Sequence, residues 1–169
     1  HAARQIRAVP VDDVAVQGCL MTTLHTEITC SSVAVGSGGG KSITVTVSGQ
    51  VSASSFKGFS YAAPIISGVS RPNTDGSSAL VVNGANLGPT GTVVSASVAG
   101  VAVSGCSVSS AHTEVTCSSV AAGSGVGKSI DLTVDGVSGV PLSTGFSFAA
   151  PTITAVSRPD TDRITSLVV

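Results

Sequence analysis

The chain is 169 residues long with a formal net charge of −1, so it has room for one large or two small domains and carries no field that would draw in nucleic acid or an acidic membrane surface. Charged residues make up 10% of it and aromatic residues 3%, with no Trp, whereas Ser and Thr together reach about a quarter and Gly adds 20 residues, a mixture that favours short strands and tight turns over helices. No apolar run approaches the ~18 residues of a membrane span and no signal peptide is visible, which reads as a mature or a cytosolic chain.

The first 63 residues acquire meaning from a repeat that spans the chain. HTEITCSSVAVGSGGGK at 25–41 returns as HTEVTCSSVAAGSGVGK at 112–128, with fourteen of seventeen positions identical. The step is 87 residues, and it holds without a gap at Cys19 and Cys106, Cys30 and Cys117, Lys41 and Lys128, Pro64 and Pro151, and Arg71 and Arg158. A unit of that length suits a small β-sandwich. Residues 1–63 match positions 88–150, so the chain opens with a unit that lacks its first two strands.

Residues 64–150 form the complete unit, with seven short strands expected. PIISGVS (64–70) is the first and SALVVNG (78–84) the second. TVVSASVAG (92–100) and VAVSGCSV (101–108) follow, joined at Ala99–Gly100, then TEVTCSS (113–119), KSIDLTVDG (128–136) and a closing TGFSFAA (144–150). Ile130, Leu132 and Val134 alternate with Ser129, Asp131 and Thr133, the mark of a strand with one buried face. RPNTDG, NGANLGPTG, GSGVG and DGVSGVP supply turns. The pattern is that of an all-β chain of tandem sandwiches with an 87-residue repeat.

Residues 151–169, PTITAVSRPDTDRITSLVV, match positions 64–82 and are expected to be the first two strands of a following unit. Placed tail to head, they and residues 1–63 nearly make one full unit, missing only the equivalents of Asn83–Leu87. Ile153, Val156, Ile164, Leu167, Val168 and Val169 give these strands an apolar face that water would leave sticky. The tail therefore completes the first unit of a neighbouring copy by strand addition, a heterologous contact that propagates, or it continues into a longer covalent chain of repeats.

The complete unit resembles the IPT/TIG family, the immunoglobulin-like fold of plexins, certain transcription factors and many microbial surface proteins. The resemblance sits in PIISGVSRP, ALVVNGANLG, VAVSGCSVSSAHTEVTCSS and GFSFAAP, and covers essentially the whole chain once the repeat is unwrapped. Gly76-Ser77-Ser78 replaces the usual Gly-Gly before the second strand, and Leu87 replaces the usual Phe. The resemblance implies a binding or spacer module rather than an enzyme.

The four cysteines form two pairs, Cys19 with Cys30 and Cys106 with Cys117, each eleven residues apart within one repeat. No zinc-knuckle or redox spacing is present, and the pairs read as intradomain disulfides rather than as reduced, buried thiols. Such bonds belong to an oxidising compartment and point to secretion.

Other motifs carry less. GSGGGKS (36–42) mimics a phosphate loop, but Val35 stands where the signature needs Gly and the context is a hairpin turn. His25 and His112, each in HTE, open Thr-rich surface strands with no nucleophile elbow. Asp160 and Asp162, like Asn73 and Asp75, suit turns better than a calcium site. There is no N-glycosylation sequon; exposed hydroxyls at Thr74, Ser107, Ser109, Ser110, Ser118 and Ser119 are candidates for O-glycans and equally suit solvent-facing strand positions. No cofactor, metal, nucleic-acid partner or catalytic set is expected. The expected function is a structural subunit of an extracellular, O-glycosylated filament that polymerises with itself head to tail. The alternative is an adhesin or receptor ectodomain segment that binds a protein or carbohydrate, although Phe56, Phe59, Tyr61, Phe146 and Phe148 read mostly as residues that close strands rather than as an exposed aromatic platform.

Overall fold

A computed structural model describes residues 6–9, 16–52 and 56–158. Their regular structure is all strand: no helix occurs among them. The strands are β1 Ile6–Val9, β2 Val16–Thr23, β3 Glu27–Val33, β4 Lys41–Val47, β5 Gln50–Val51 and β6 Phe56–Phe59 in the N-terminal part. The C-terminal part holds β7 Ile65–Val69, β8 Leu80–Ala85, β9 Val94–Val98, β10 Val101–Ser110, β11 Glu114–Ser119, β12 Lys128–Val134, β13 Val137–Ser138 and β14 Leu142–Phe146.

The last eight strands pair in the order β13-β12-β9-β10-β11-β8-β7, with β14 on β12. One long strand makes the sheet curl. Val101–Val103 of β10 pair with β9, whereas Ser104–Ser110 pair with β11. Gly105 lies at the handover with φ +62°, a left-handed backbone that glycine adopts without strain. A Cβ there would run into the Ser118 hydroxyl. The hairpin between β9 and β10 turns at Ala99–Gly100, both with positive φ, the twist that suits a two-residue connection.

Alternation decides what the curl encloses. Val94, Ala96 and Val98 of β9 and Ile130, Leu132 and Val134 of β12 point to one side. They meet Leu80 and Val82 of β8, Cys106 and Val108 of β10, Val115 and Cys117 of β11, and Phe146 of β14 in a single buried cluster with Leu87, Val120 and Phe148. Phe146 and Phe148 pack edge to face, 5.0 Å between ring centres. No polar side chain is buried among the described residues. Two facing layers that share one apolar core are consistent with a β-sandwich.

The seven strands expected in residues 64–150 are all present, with two differences. The short β13 is an addition: the turn Asp135–Gly136, with φ +46° and +78°, folds Val137 and Ser138 back on β12. The closing strand runs Leu142–Phe146, earlier than TGFSFAA, so Phe148 lies past its end yet stays buried.

In the N-terminal part, β1, β4 and β5 form a sheet with β6 on β4, and β2 and β3 form a separate hairpin. β4 and β5 fall at the 87-residue step from β12 and β13, residue for residue. The β2–β3 register, Cys19 opposite Cys30 and Met21 opposite Ile28, repeats that of β10–β11, Cys106 opposite Cys117 and Val108 opposite Val115.

Candidate assembly surface

Both hairpins carry their disulfide between directly opposed residues, with Cα atoms 3.9 Å apart in Cys19–Cys30 and in Cys106–Cys117. The hairpins differ in what lies beside them. β11 is covered along its outer edge by β8, Val115 opposite Val82, Thr116 opposite Val81 and Cys117 opposite Leu80. The matching edge of β3, at Ile28, Thr29 and Cys30, has no strand beside it among the described residues. An unpaired edge leaves backbone donors and acceptors ready to receive a strand.

Burial follows the same division. Val115, Cys117 and Ile130 are fully buried, and Val134 nearly so. Their repeat equivalents Ile28, Cys30, Ile43 and Val47 are only half-buried. Phe59 and Tyr61 repeat the edge-to-face pair of Phe146 and Phe148, with ring centres 5.1 Å apart, but both are half-buried rather than buried. Val33, the counterpart of buried Val120, is exposed. The residue types are alike; the C-terminal copy has β7 and β8 to close its core, and among the described residues the N-terminal copy does not. Within 16–52 and 56–63, Gly38 alone is buried.

The tail residues divide between what is described and what is not. Ile153 is 70% exposed and Val156 54%, and residues 151–158 form no strand. Ile164, Leu167, Val168 and Val169 lie outside the described residues, as do Asp160 and Asp162. Of the aromatic residues expected to close strands, Phe59 and Phe146 end β6 and β14, Tyr61 and Phe148 lie just past those ends, and Phe56 is largely exposed and lies over Gly58.

The hydroxyls considered for glycans are not equivalent. Ser118 Oγ donates to the Ser104 carbonyl at 3.1 Å, and the Ser104 and Ser119 hydroxyls share a bond of 3.0 Å. Ser109 Oγ donates to Glu114 Oε1 and accepts from Thr116 Oγ1. The same trio recurs as Thr22, Glu27 and Thr29. Ser107 is half-buried, while Thr74 and Ser110 are exposed. His25 and His112 lie in turns with φ +68° and +63°, not at strand starts, because the tight reversal between opposed hydroxyl-rich strands needs a left-handed residue there. The Asp75 carboxylate accepts from both the hydroxyl and the amide of Ser77, which holds its pKa below the ordinary value and makes the RPNTDG segment a turn. No group of three or more His, Cys, Asp and Glu able to hold a metal occurs among the described residues, and no helix there is long and apolar enough to cross a membrane.

One contact is not legible in the sequence as a site. GSGGGKS forms the loop before β4 and receives the Asp135–Gly136 turn of the C-terminal part. Ser37 Oγ donates to Asp135 Oδ2 at 3.2 Å, and Lys41 Nζ lies 4.0 Å from the same oxygen. Gly38, with φ +92°, lets that carboxylate approach its Cα, where a Cβ would collide with it. The signal available in the sequence is a mismatch within the repeat: Asp135 stands where the other copy has Ser48. No protein-family model matches the chain, and no curated protein matches it.

Proposed function

We propose that the chain is a structural subunit of an extracellular filament made of IPT/TIG-type sandwiches joined head to tail, with residues 151–169 of one copy supplying strands to the β3 edge of the next copy, which has no strand beside it among the described residues. The supporting observation is the paired burial contrast: Ile28, Cys30, Ile43 and Phe59 are half-buried where Val115, Cys117, Ile130 and Phe146 are buried beneath β7 and β8. Those two strands have their sequence counterpart in the tail. Burying the six apolar tail side chains is worth on the order of 9–18 kcal/mol at ~1.5–3 each, an upper bound, against an association cost of ~4–15 kcal/mol. Ladder hydrogen bonds to the open β3 edge tip the balance toward association.

Two hairpin disulfides fit an oxidising compartment. O-glycans on the exposed hydroxyls complete the reading, with Thr74 and Ser110 better placed to accept them than Ser118. The test is the solution mass, by light scattering, of the oxidised chain. Concentration-dependent polymers that vanish when residues 151–169 are deleted are expected. A species that stays at the 16.4 kDa chain mass at every concentration refutes the proposal.

A further inference from the structure

The loop that holds Asp135 has a repeat counterpart with no such turn over it among the described residues. At the 87-residue step Ser37, Gly38, Gly39, Gly40 and Lys41 become Ser124, Gly125, Val126, Gly127 and Lys128. Gly38 is buried under Asp135, and Gly39 faces Val137. Gly125 keeps the same left-handed backbone, φ +99° against +92°, yet is exposed, and a Cβ on it would meet only Lys128. Val126 is 80% exposed. One copy of the loop is thus covered by a turn and the other presents the same backbone to solvent.

The turn that covers the first loop also has a counterpart. Asp135–Gly136 repeats as Ser48–Gly49, with φ +51° and +83° against +46° and +78°. Both are two-residue connections of one hairpin type, β4 to β5 and β12 to β13. Ser48–Gly49 is exposed. Among the described residues the chain carries a loop without its turn and a turn without its loop, and the pairing that would satisfy both is already seen within it.

We infer that the Gly123–Lys128 loop is a docking surface for the Ser48–Gly49 turn of a second copy of this chain. The inference rests on the filament reading and gives the partner of a second contact, separate from the tail strands. It also says how this contact differs from the internal one. Ser48 replaces Asp135, so Ser124 and Lys128 meet a hydroxyl instead of a carboxylate. The internal joint carries an ion pair, and the joint between copies does not.

The experiment uses the full chain with Ser124→Cys and Ser48→Cys together, treated with a short bis-maleimide under polymerising conditions and run on a denaturing gel. A ladder at multiples of the chain mass, absent from either single variant, is the expected result. Ser37→Cys with Asp135→Cys provides the reference, cross-linking within one chain. Polymers by light scattering without a ladder overturn the docking surface and leave the filament reading intact. No polymers and no ladder overturn both. A ladder that persists when residues 151–169 are deleted upholds the docking surface and removes the tail from assembly. Independently, Ser48→Asp restores a carboxylate opposite Lys128 and is expected to raise the association constant about two- to five-fold at low salt, with the gain lost at high salt. An unchanged constant at low salt overturns the placement of Ser48 over that lysine.

Discussion

Ile43 and Ile130 occupy the same place in two copies of KSI, so replacing each with Ala asks one chemical question in two environments. Ile130 is fully buried between β9 and β14, and its removal is expected to cost about 2–5 kcal/mol, transfer plus cavity. Ile43 is half-buried, so in dilute solution Ile43→Ala forfeits about half of a ~1.5–3 kcal/mol transfer term, roughly 0.8–1.5 kcal/mol, and leaves no closed cavity. Once a neighbour's tail covers that face, the cost should climb toward the Ile130 value. The chain offers its own probe, because Tyr61 is its one tyrosine and there is no Trp. Its hydroxyl donates to the Ala34 carbonyl at 2.8 Å, so tyrosine emission follows the N-terminal part while far-ultraviolet circular dichroism follows the whole. Urea titrations of both variants, at protein concentrations below and above the onset of association, give the two costs. Equal costs for Ile43→Ala and Ile130→Ala in dilute chain, or an Ile43→Ala cost that does not change with concentration, would refute the reasoning.

Replacing Cys106 and Cys117 together with Ala is expected to lower the stability of the C-terminal part by about 3 kcal/mol, the chain-entropy value for a loop closed over eleven residues, read from the shift in the urea midpoint. Gly38→Ala combines a left-handed backbone with a collision against the Asp135 carboxylate, whereas Gly125→Ala meets only the backbone strain; thermal melts should show the larger loss for Gly38→Ala, and equal losses would mean that the loop and turn do not touch. The Asp75 pKa is lowered in the folded chain, chiefly by the Ser77 hydroxyl, so its contribution to stability is present above the unfolded value of 3.8 and is lost as pH falls through the folded one. Ser77→Ala should bring the Asp75 titration, followed by carboxyl NMR, back up toward that value.

Much of this architecture can be read from residues alone. Alternation gives Ile130, Leu132 and Val134 their inward face, and spacing within the repeat pairs the cysteines across a hairpin, because both are local properties of a strand. What escapes such reading depends on partners distant in the chain. The pattern around Ile43 matches that around Ile130, yet its half-exposure comes from the absence of a β8 equivalent among the described residues, which no local pattern records. β13 owes its existence to the Asp135–Gly136 turn. The role of GSGGGKS depends on a carboxylate almost a hundred residues away, visible in advance only as the exchange of Ser48 for Asp135. The tail pattern reads as two strands, yet residues 151–158 form none and leave Ile153 and Val156 exposed, because a strand needs a neighbouring edge that its own sequence does not supply.

The hairpin disulfides also set how the chain would answer to being pulled. Each bond joins directly opposed residues of neighbouring strands and encloses the ten residues between its two cysteines. Force applied at the two ends can peel β7 and β8 away and open the core, but it passes through Cys106 and Cys117 without entering the loop between them. Each bridge therefore withholds about 32–36 Å of contour length from extension, once the 3.9 Å between its Cα atoms is allowed for. A stretched, oxidised molecule would end shorter than a reduced one by that amount per bridge, and its β10–β11 hairpin would survive as a closed template on which the remaining strands could reassemble when tension falls.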